Sequence, residues 1–302
     1  MPGEREASDN RTAIAVATGL HNASNVRLSG MLRWPPFRRR PLVPVIRLHG
    51  LLSGRSGALN SETYAPLVKR AFRAAKRCGH VVLDIDSPGG SAVQSHLIAT
   101  LIRRQADKTG VKVLAVIQDV GASGGYWLAC AGDEILATPM SAVGSVGVVG
   151  RSFGIVGLIE RLGIEARTYT AGANKVRLDP FKSERAEDVE FLKIVLDETH
   201  DCFKDWVRSR RGDRLVGDEA TLFDGSWFVG TRARELGLLD GFGDLDEVVR
   251  RVGGDRAVAR VFRPRLRGFL GRLPRSAINA VLDAMDEQQG RIATLVDWHR
   301  SE

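Results

Sequence analysis

Cysteine is scarce in this chain of 302 residues: Cys78, Cys130 and Cys202 stand far apart, with no Cys-x-x-Cys pair. An odd, scattered count argues against a disulfide framework and suits a reducing compartment. Histidine is equally thin, with six residues and no His-x-x-x-His spacing, so a zinc site has no ligand set to draw on. No stretch reaches the about 20 apolar residues that a membrane-spanning helix needs. The longest N-terminal apolar run, residues 12 to 20, is short and follows Glu4, Glu6 and Asp9, which makes a poor secretory signal. These absences lead to the expectation of a cytoplasmic protein without metal or other cofactor.

What is present is an ordinary globular composition, 43% hydrophobic and 26% charged. The net charge of +8 is unevenly placed. Residues 1 to 40 carry +4 and residues 250 to 302 carry +5, leaving the middle at −1. In both flanks arginine mixes with large apolar groups, as in Met31 to Arg40 and Arg263 to Arg275. That mixture suits peripheral binding to an anionic membrane surface, on the inner face if the protein is cytoplasmic, and equally suits a solvated basic arm. No nucleic-acid motif accompanies it, so no nucleic-acid partner is expected.

Strand-like runs at 43–48, 80–85, 112–118, 133–138 and 164–170 alternate with helical patterns at 61–77, 91–108, 124–131 and 154–162. Such alternation implies an α/β fold with a largely parallel sheet. A long helix is expected over 183–210, with Leu192, Val195, Leu196, Phe203, Trp206 and Val207 on one stripe. A helical pattern returns over 276–299. The division that follows is a basic arm at 1–40, a core domain at 41–249 and a basic, mainly helical extension at 250–302.

Two turns carry chemistry. Asp119-Val120-Gly121-Ala122-Ser123-Gly124-Gly125-Tyr126-Trp127 sets a serine between small residues, after an apolar strand and before a short helix. A serine there is either a helix cap or an exposed nucleophile beside a free backbone N–H. Asp86-Ser87-Pro88-Gly89-Gly90 likewise leads from a strand into a helix, and paired glycines there either make a plain turn or present bare N–H groups to an anion. Asp84 and Asp86 alternate onto one face, where capping of the next turn is commoner than metal binding.

With Ala142-Val143-Gly144-Ser145-Val146-Gly147-Val148, Ala171-Gly172-Ala173-Asn174-Lys175 and the run Gly230 to Asp240, these segments resemble the signal peptide peptidase A family of serine peptidases, over roughly residues 43 to 249. The resemblance implies a ClpP/crotonase-like fold with crossed βα units and a homo-oligomeric ring. It implies Ser123 as nucleophile, Lys175 as general base and Ser145 as the hydroxyl that orients the lysine amine. The N–H of Gly124, with that of Gly90 or Gly89, would form the oxyanion hole. The substrate would be a peptide or an unfolded or membrane-derived segment. Chemistry agrees, since a serine hydroxyl needs a nearby base and a lysine serves only when neutral.

Other readings stay open. His96 falls off the apolar face of its helix and reads as a surface residue. His49 ends a strand, where a hydrogen-bonded role is commoner than catalysis. A crotonase-like acyl-CoA enzyme would share the fold but needs a carboxylate base, and a catalytically silent membrane scaffold would need no dyad.

Overall fold

Val43, Val45, Ile46 and Leu48 give the first strand apolar side chains on both faces, which suits a strand covered from both sides. In the computed structural model, which describes residues 40–264, that strand is β1 (Leu42–His49). The expected helix at 276–299 and the N-terminal arm before Arg40 lie outside the described residues. Helix α1 (Ser61–Ala75) follows, with the Asn60 side chain accepting from the Thr63 N–H at 2.9 Å as its cap. Strand β2 (His80–Ser87), helix α2 (Ala92–Thr109), strand β3 (Lys112–Ala122) and helix α3 (Gly124–Ala129) come next. Gly110 ends α2 in the left-handed conformation, φ 67°.

Short elements complete the sheet: β4 (Glu134–Ala137) and β5 (Ala142–Gly144), then α4 (Val156–Arg161) and the long α5 (Ala186–Arg211). They are followed by α6 (Glu219–Leu222), β6 (Trp227–Val229), α7 (Gly230–Glu235), β7 (Gly241–Phe242), α8 (Leu245–Gly253) and β8 (Val258–Phe262). The strand order is β6-β5-β3-β2-β1-β8, with β4 beside β3 and β7 beside β4. Every pairing is parallel except β5 with β6. This is the α/β, ClpP/crotonase-like architecture that the motifs implied.

Strand alternation divides the core. Ile46, Leu48, Leu83, Ile85 and Ile117 face the layer of α1, α2 and α3, whereas Val43, Val45, Val82 and Val116 face α8 through Val248 and Val249.

Three expectations need correction. Residues 164–170 form no strand: all seven are exposed, with no neighbouring strand to receive their backbone hydrogen bonds. The sheet does not stop at residue 249, because β8 pairs with β1 from Leu42↔Val258 to Ile46↔Phe262. The apolar stripe of α5 is only half used. Phe203 and Val207 are buried and Trp206 packs on the core, but Val195 is exposed, together with Phe191 and Ile194.

The buried end of α5 is fixed by Arg211, which is 2% exposed. Its guanidinium donates twice to the Gly237 carbonyl, at 2.9 and 2.7 Å, and to both oxygens of Asp240, at 2.8 and 3.1 Å. Asp240 also accepts from the Ile135 N–H at 2.7 Å, so one carboxylate ties α5 to the start of β4. Burial is the strongest single influence and works against ionisation of Asp240, but the hydrogen bonds from Arg211 and the Ile135 N–H and the charges of Arg211 and Arg214 together outweigh it and hold the carboxyl below its usual range. Removing Asp240 strands the buried guanidinium, and removing Arg211 leaves Asp240 only the exposed Arg214, at 3.3 Å, as a counter-charge. Arg211→Met is therefore expected to lower stability by about 3–5 kcal/mol in urea unfolding, and a loss under about 1 kcal/mol would show the pair to be dispensable. Because the folded carboxyl titrates low, its stabilisation is present above the unfolded value of about 3.9 and fades as pH falls through the folded one. Asp240→Asn should flatten that acid limb of the stability profile.

Candidate active site

The crossover from β3 to α3 leaves no room for an ordinary backbone. Ser123 takes φ 51° and ψ −121°, a conformation that L-residues avoid, with its N–H donating to the Gly144 carbonyl at 2.8 Å. Strain of this kind typically costs 1–3 kcal/mol and collects at functional turns. The neighbouring strand β5 runs parallel with Ala122 opposite Gly144, so Ser145 follows β5 as Ser123 follows β3. Ser145 has φ 51° as well, and its N–H donates to the Ser226 carbonyl at 2.7 Å. Both serines line one cleft of ≈ 870 Å³, along with Gly90, Gly124, Trp127, His200 and Phe203.

The Pro88-Gly89-Gly90 turn presses against this serine. A Cβ on Gly89, where φ is +106°, would stand 2.7 Å from the Gly124 nitrogen and 2.8 Å from Ser123 Cβ, so only glycine fits. The Gly89 N–H donates to Ser87 Oγ at 3.2 Å. The Gly89 carbonyl accepts from Leu52, and the Ser91 N–H donates to Leu52, each at 2.8 Å. A parallel bridge of that pattern uses the neighbours of Gly90 and leaves the N–H of Gly90 itself over. Among the described residues, the N–H groups of Gly90 and Gly124 have no protein acceptor, whereas that of Gly89 is engaged.

Lys175 is not brought to this cleft within one chain. It sits exposed in a loop, its N–H donating to the Gly172 carbonyl at 3.2 Å, and it is not among the lining residues. His96 is exposed, as its place on α2 foretold, and meets the Trp127 ring edge-on at 6.0 Å between centroids. His49 ends β1 beside a buried carboxylate. Its Nε2 lies 3.0 Å from one oxygen of the buried Asp84, whose other oxygen accepts from Arg47 at 2.7 Å. Burial opposes the Asp84 charge, but the hydrogen bonds from His49 and Arg47 prevail and keep the carboxyl below its usual range. Neither acidic residue of β2 caps the following turn: Asp84 serves these cations, and Asp86 accepts from the Val120 N–H at 3.2 Å.

One cleft residue escaped the sequence reading. His200 of α5 reaches the lining, and its Nε2 lies 3.0 Å from the Val146 carbonyl, beside Ser145. Its spacing of three and seven residues before Phe203 and Val207 puts it on the buried stripe, and that periodicity was the available signal.

If the Ser123 backbone is strained, glycine should relieve it. Ser123→Gly is expected to raise unfolding stability by roughly 1 kcal/mol, with little change for Ser123→Ala. Denaturant titration of the three proteins would show this, and a less stable glycine variant would mean the turn holds no strain.

Comparison with known proteins adds two findings. The family model described as Peptidase family S49 matches residues 105–259. Among curated proteins, a Na(+)/H(+) antiporter NhaA of Brucella abortus is 46% identical over 253 residues, 81% of this chain and 34% of its own length. A putative protease of Synechocystis is 30% identical over 194 residues, 64% of this chain and 69% of its own. The chloroplastic serine protease SPPA of Arabidopsis thaliana is 29% identical over 235 residues, 74% and 34% of the two chains. The chain spans about a third of the length of the Brucella relative that it matches.

Proposed function

The chain belongs to peptidase family S49, and from that premise we propose that it is a serine endopeptidase acting through an acyl-enzyme on Ser123. The observation that carries this reading is the strained Ser123 beside two unclaimed N–H groups in a cleft shared with Ser145. Ser123 Oγ attacks the scissile carbonyl carbon and gives its proton to the Lys175 amine. The oxyanion takes hydrogen bonds from the Gly124 and Gly90 N–H groups; Gly89 serves by letting the backbones approach. The ammonium then protonates the leaving amine. Water, deprotonated by the same lysine, attacks the acyl ester, and the ammonium returns its proton to Ser123 Oγ as the acid leaves. Ser145 holds the lysine amine during both steps. No step draws on a cofactor.

For Lys175 to act, it must come from a second copy. Among the described residues, large apolar side chains around its segment stand exposed, including Phe153, Leu158, Leu162, Ile164 and Tyr169, with Phe153 at 84% and Tyr169 at 90% exposure. Exposed apolar groups in such number mark an interface. A homo-oligomeric ring that covers them and passes each Lys175 to a neighbouring Ser123 fits both facts. The substrates are peptides or unfolded or membrane-derived segments. An acyl-CoA reaction is disfavoured, because the carboxylate lining the cleft, Asp224, is occupied by the Ser226 N–H and hydroxyl at 2.8 and 2.9 Å. Among the described residues no helix is long and apolar enough to cross a membrane.

Ser123→Ala and Lys175→Ala should each reduce peptide hydrolysis by several orders of magnitude, whereas His49→Ala and His96→Ala retain most of it. Failure of wild-type Ser123 to react with a fluorophosphonate probe would favour a silent scaffold. Co-expressing the two inactive variants tests the shared site: when they co-assemble at random, about one site in four regains both residues. Background activity in that mixture would place the dyad within one chain and remove the shared-site model.

Because only a neutral amine accepts the serine proton, hydrolysis should climb from neutral into alkaline solution. A rate profile that stays flat from about pH 6 to 9 would exclude a lysine base.

A further inference from the structure

Five cations of the second half of α1 and the turn that ends it, Lys69, Arg70, Arg73, Lys76 and Arg77, are spaced so that helical geometry gathers them on one arc of about 120°. All are exposed, and between Glu62 and Asp84 the sequence supplies no acidic residue to offset them. The edge strand β8 adds Arg260, and Arg263 directly follows it, both exposed. The two elements meet at Phe262, whose buried ring lies 5.9 Å from the Arg70 guanidinium and 5.4 Å from that of Arg260. Arg70, Arg73 and Arg260 line one open depression, and among the described residues none of the seven cations pairs with a carboxylate. The chain then continues through Arg265, Arg267, Arg272 and Arg275, interleaved with Leu266, Phe269, Leu270 and Leu273, and the next acidic residue after Asp255 is Asp283.

We propose that the face formed by α1 and β8 docks the protein on an anionic lipid surface. Three observations favour lipid over nucleic acid. The depression is small, ≈ 370 Å³, and holds three arginines beside one aromatic ring. Its cations are spread over a helix face and a sheet edge as a broad patch, which matches a plane of headgroups. The sequence leaving β8 alternates arginine with large apolar side chains, which suits an interface of charge and acyl chain. The location is compatible with catalysis, because the cleft opens at the carboxyl ends of β2 and β3. The α1 face lies instead beside the sheet edge and runs toward the amino end of β2 at His80. This inference does not rest on the peptidase reading.

The test is cosedimentation of the full chain with vesicles of phosphatidylcholine containing about 30% phosphatidylglycerol, a fraction chosen to mimic an anionic leaflet. Binding should be strong at low salt, weaken as salt is raised and be absent on pure phosphatidylcholine. Arg70→Gln, Arg73→Gln and Arg77→Gln together should weaken it by about a hundredfold, since each cation near the surface contributes roughly fivefold. Arg104→Gln, Lys108→Gln and Lys112→Gln remove the same charge from exposed positions on α2 and β3 and should leave most of it. Circular dichroism and thermal unfolding confirm that both triple variants are folded. Equal loss in the two variants would reduce the effect to net charge, and unchanged binding of the α1 variant would overturn the proposed face. Tighter binding to a short DNA or RNA duplex than to the vesicles, under the same salt, would replace lipid with nucleic acid.

Discussion

The approach of two backbones at the end of β2 and β3 is the constraint on which the site depends. Gly89 lies so close to Ser123 and to the Gly124 nitrogen that no Cβ fits between them. That contact fixes the serine side chain on one side, and the hydrogen bond from the Ser123 N–H to Gly144 fixes its backbone on the other. Positive φ at Ser123 is the consequence, held in place by the sheet and not by any local preference of serine. The same sheet repeats the device one strand away, where Ser145 leaves β5 with the same φ. Two hydroxyls thus reach one cleft because two parallel strands end in register.

Around that rigid centre the molecule is built unevenly. The last turns of α5 are tied down by Arg211 to Gly237 and Asp240 and by Arg210 to the carbonyls of Cys130 and Gly132. Trp206 donates to the Trp127 carbonyl at 3.0 Å, locking the same end onto α3. The first turns of α5, and the segment from Val149 to Phe181 before them, carry apolar side chains that are exposed among the described residues. A peptidase whose nucleophile is held by the sheet and whose base rides on the uncovered segment would be completed by assembly. The division of labour follows from where burial is available: strain is tolerated where packing over-determines the backbone.

Charge follows a similar partition. The acidic residues of the core are consumed by specific partners, Asp84 by Arg47 and His49, Asp240 by Arg211, Asp133 by Arg103. Among the described residues, seven arginines and lysines without a carboxylate partner lie on α1 and around β8, away from the cleft.

The sequence alone determined much of this. Apolar runs with β-branched residues marked β1, β2 and β3, and helical periodicity marked α1, α2 and α5, because both signals are local and follow directly from burial. The two glycine-rich turns were legible for the same reason: only small residues satisfy such turns, so their composition announces them. Tertiary structure decided what local pattern cannot encode. The run at 164–170 looked like a strand but had no partner to pair with, while β8 was passed over because its place in the sheet depends on β1, some two hundred residues earlier. The upper stripe of α5 has helical periodicity whether or not anything covers it. His200 joined the cleft, and Lys175 stayed outside it, because proximity between residues distant in sequence is set by the packing of whole elements, which no spacing along the chain specifies.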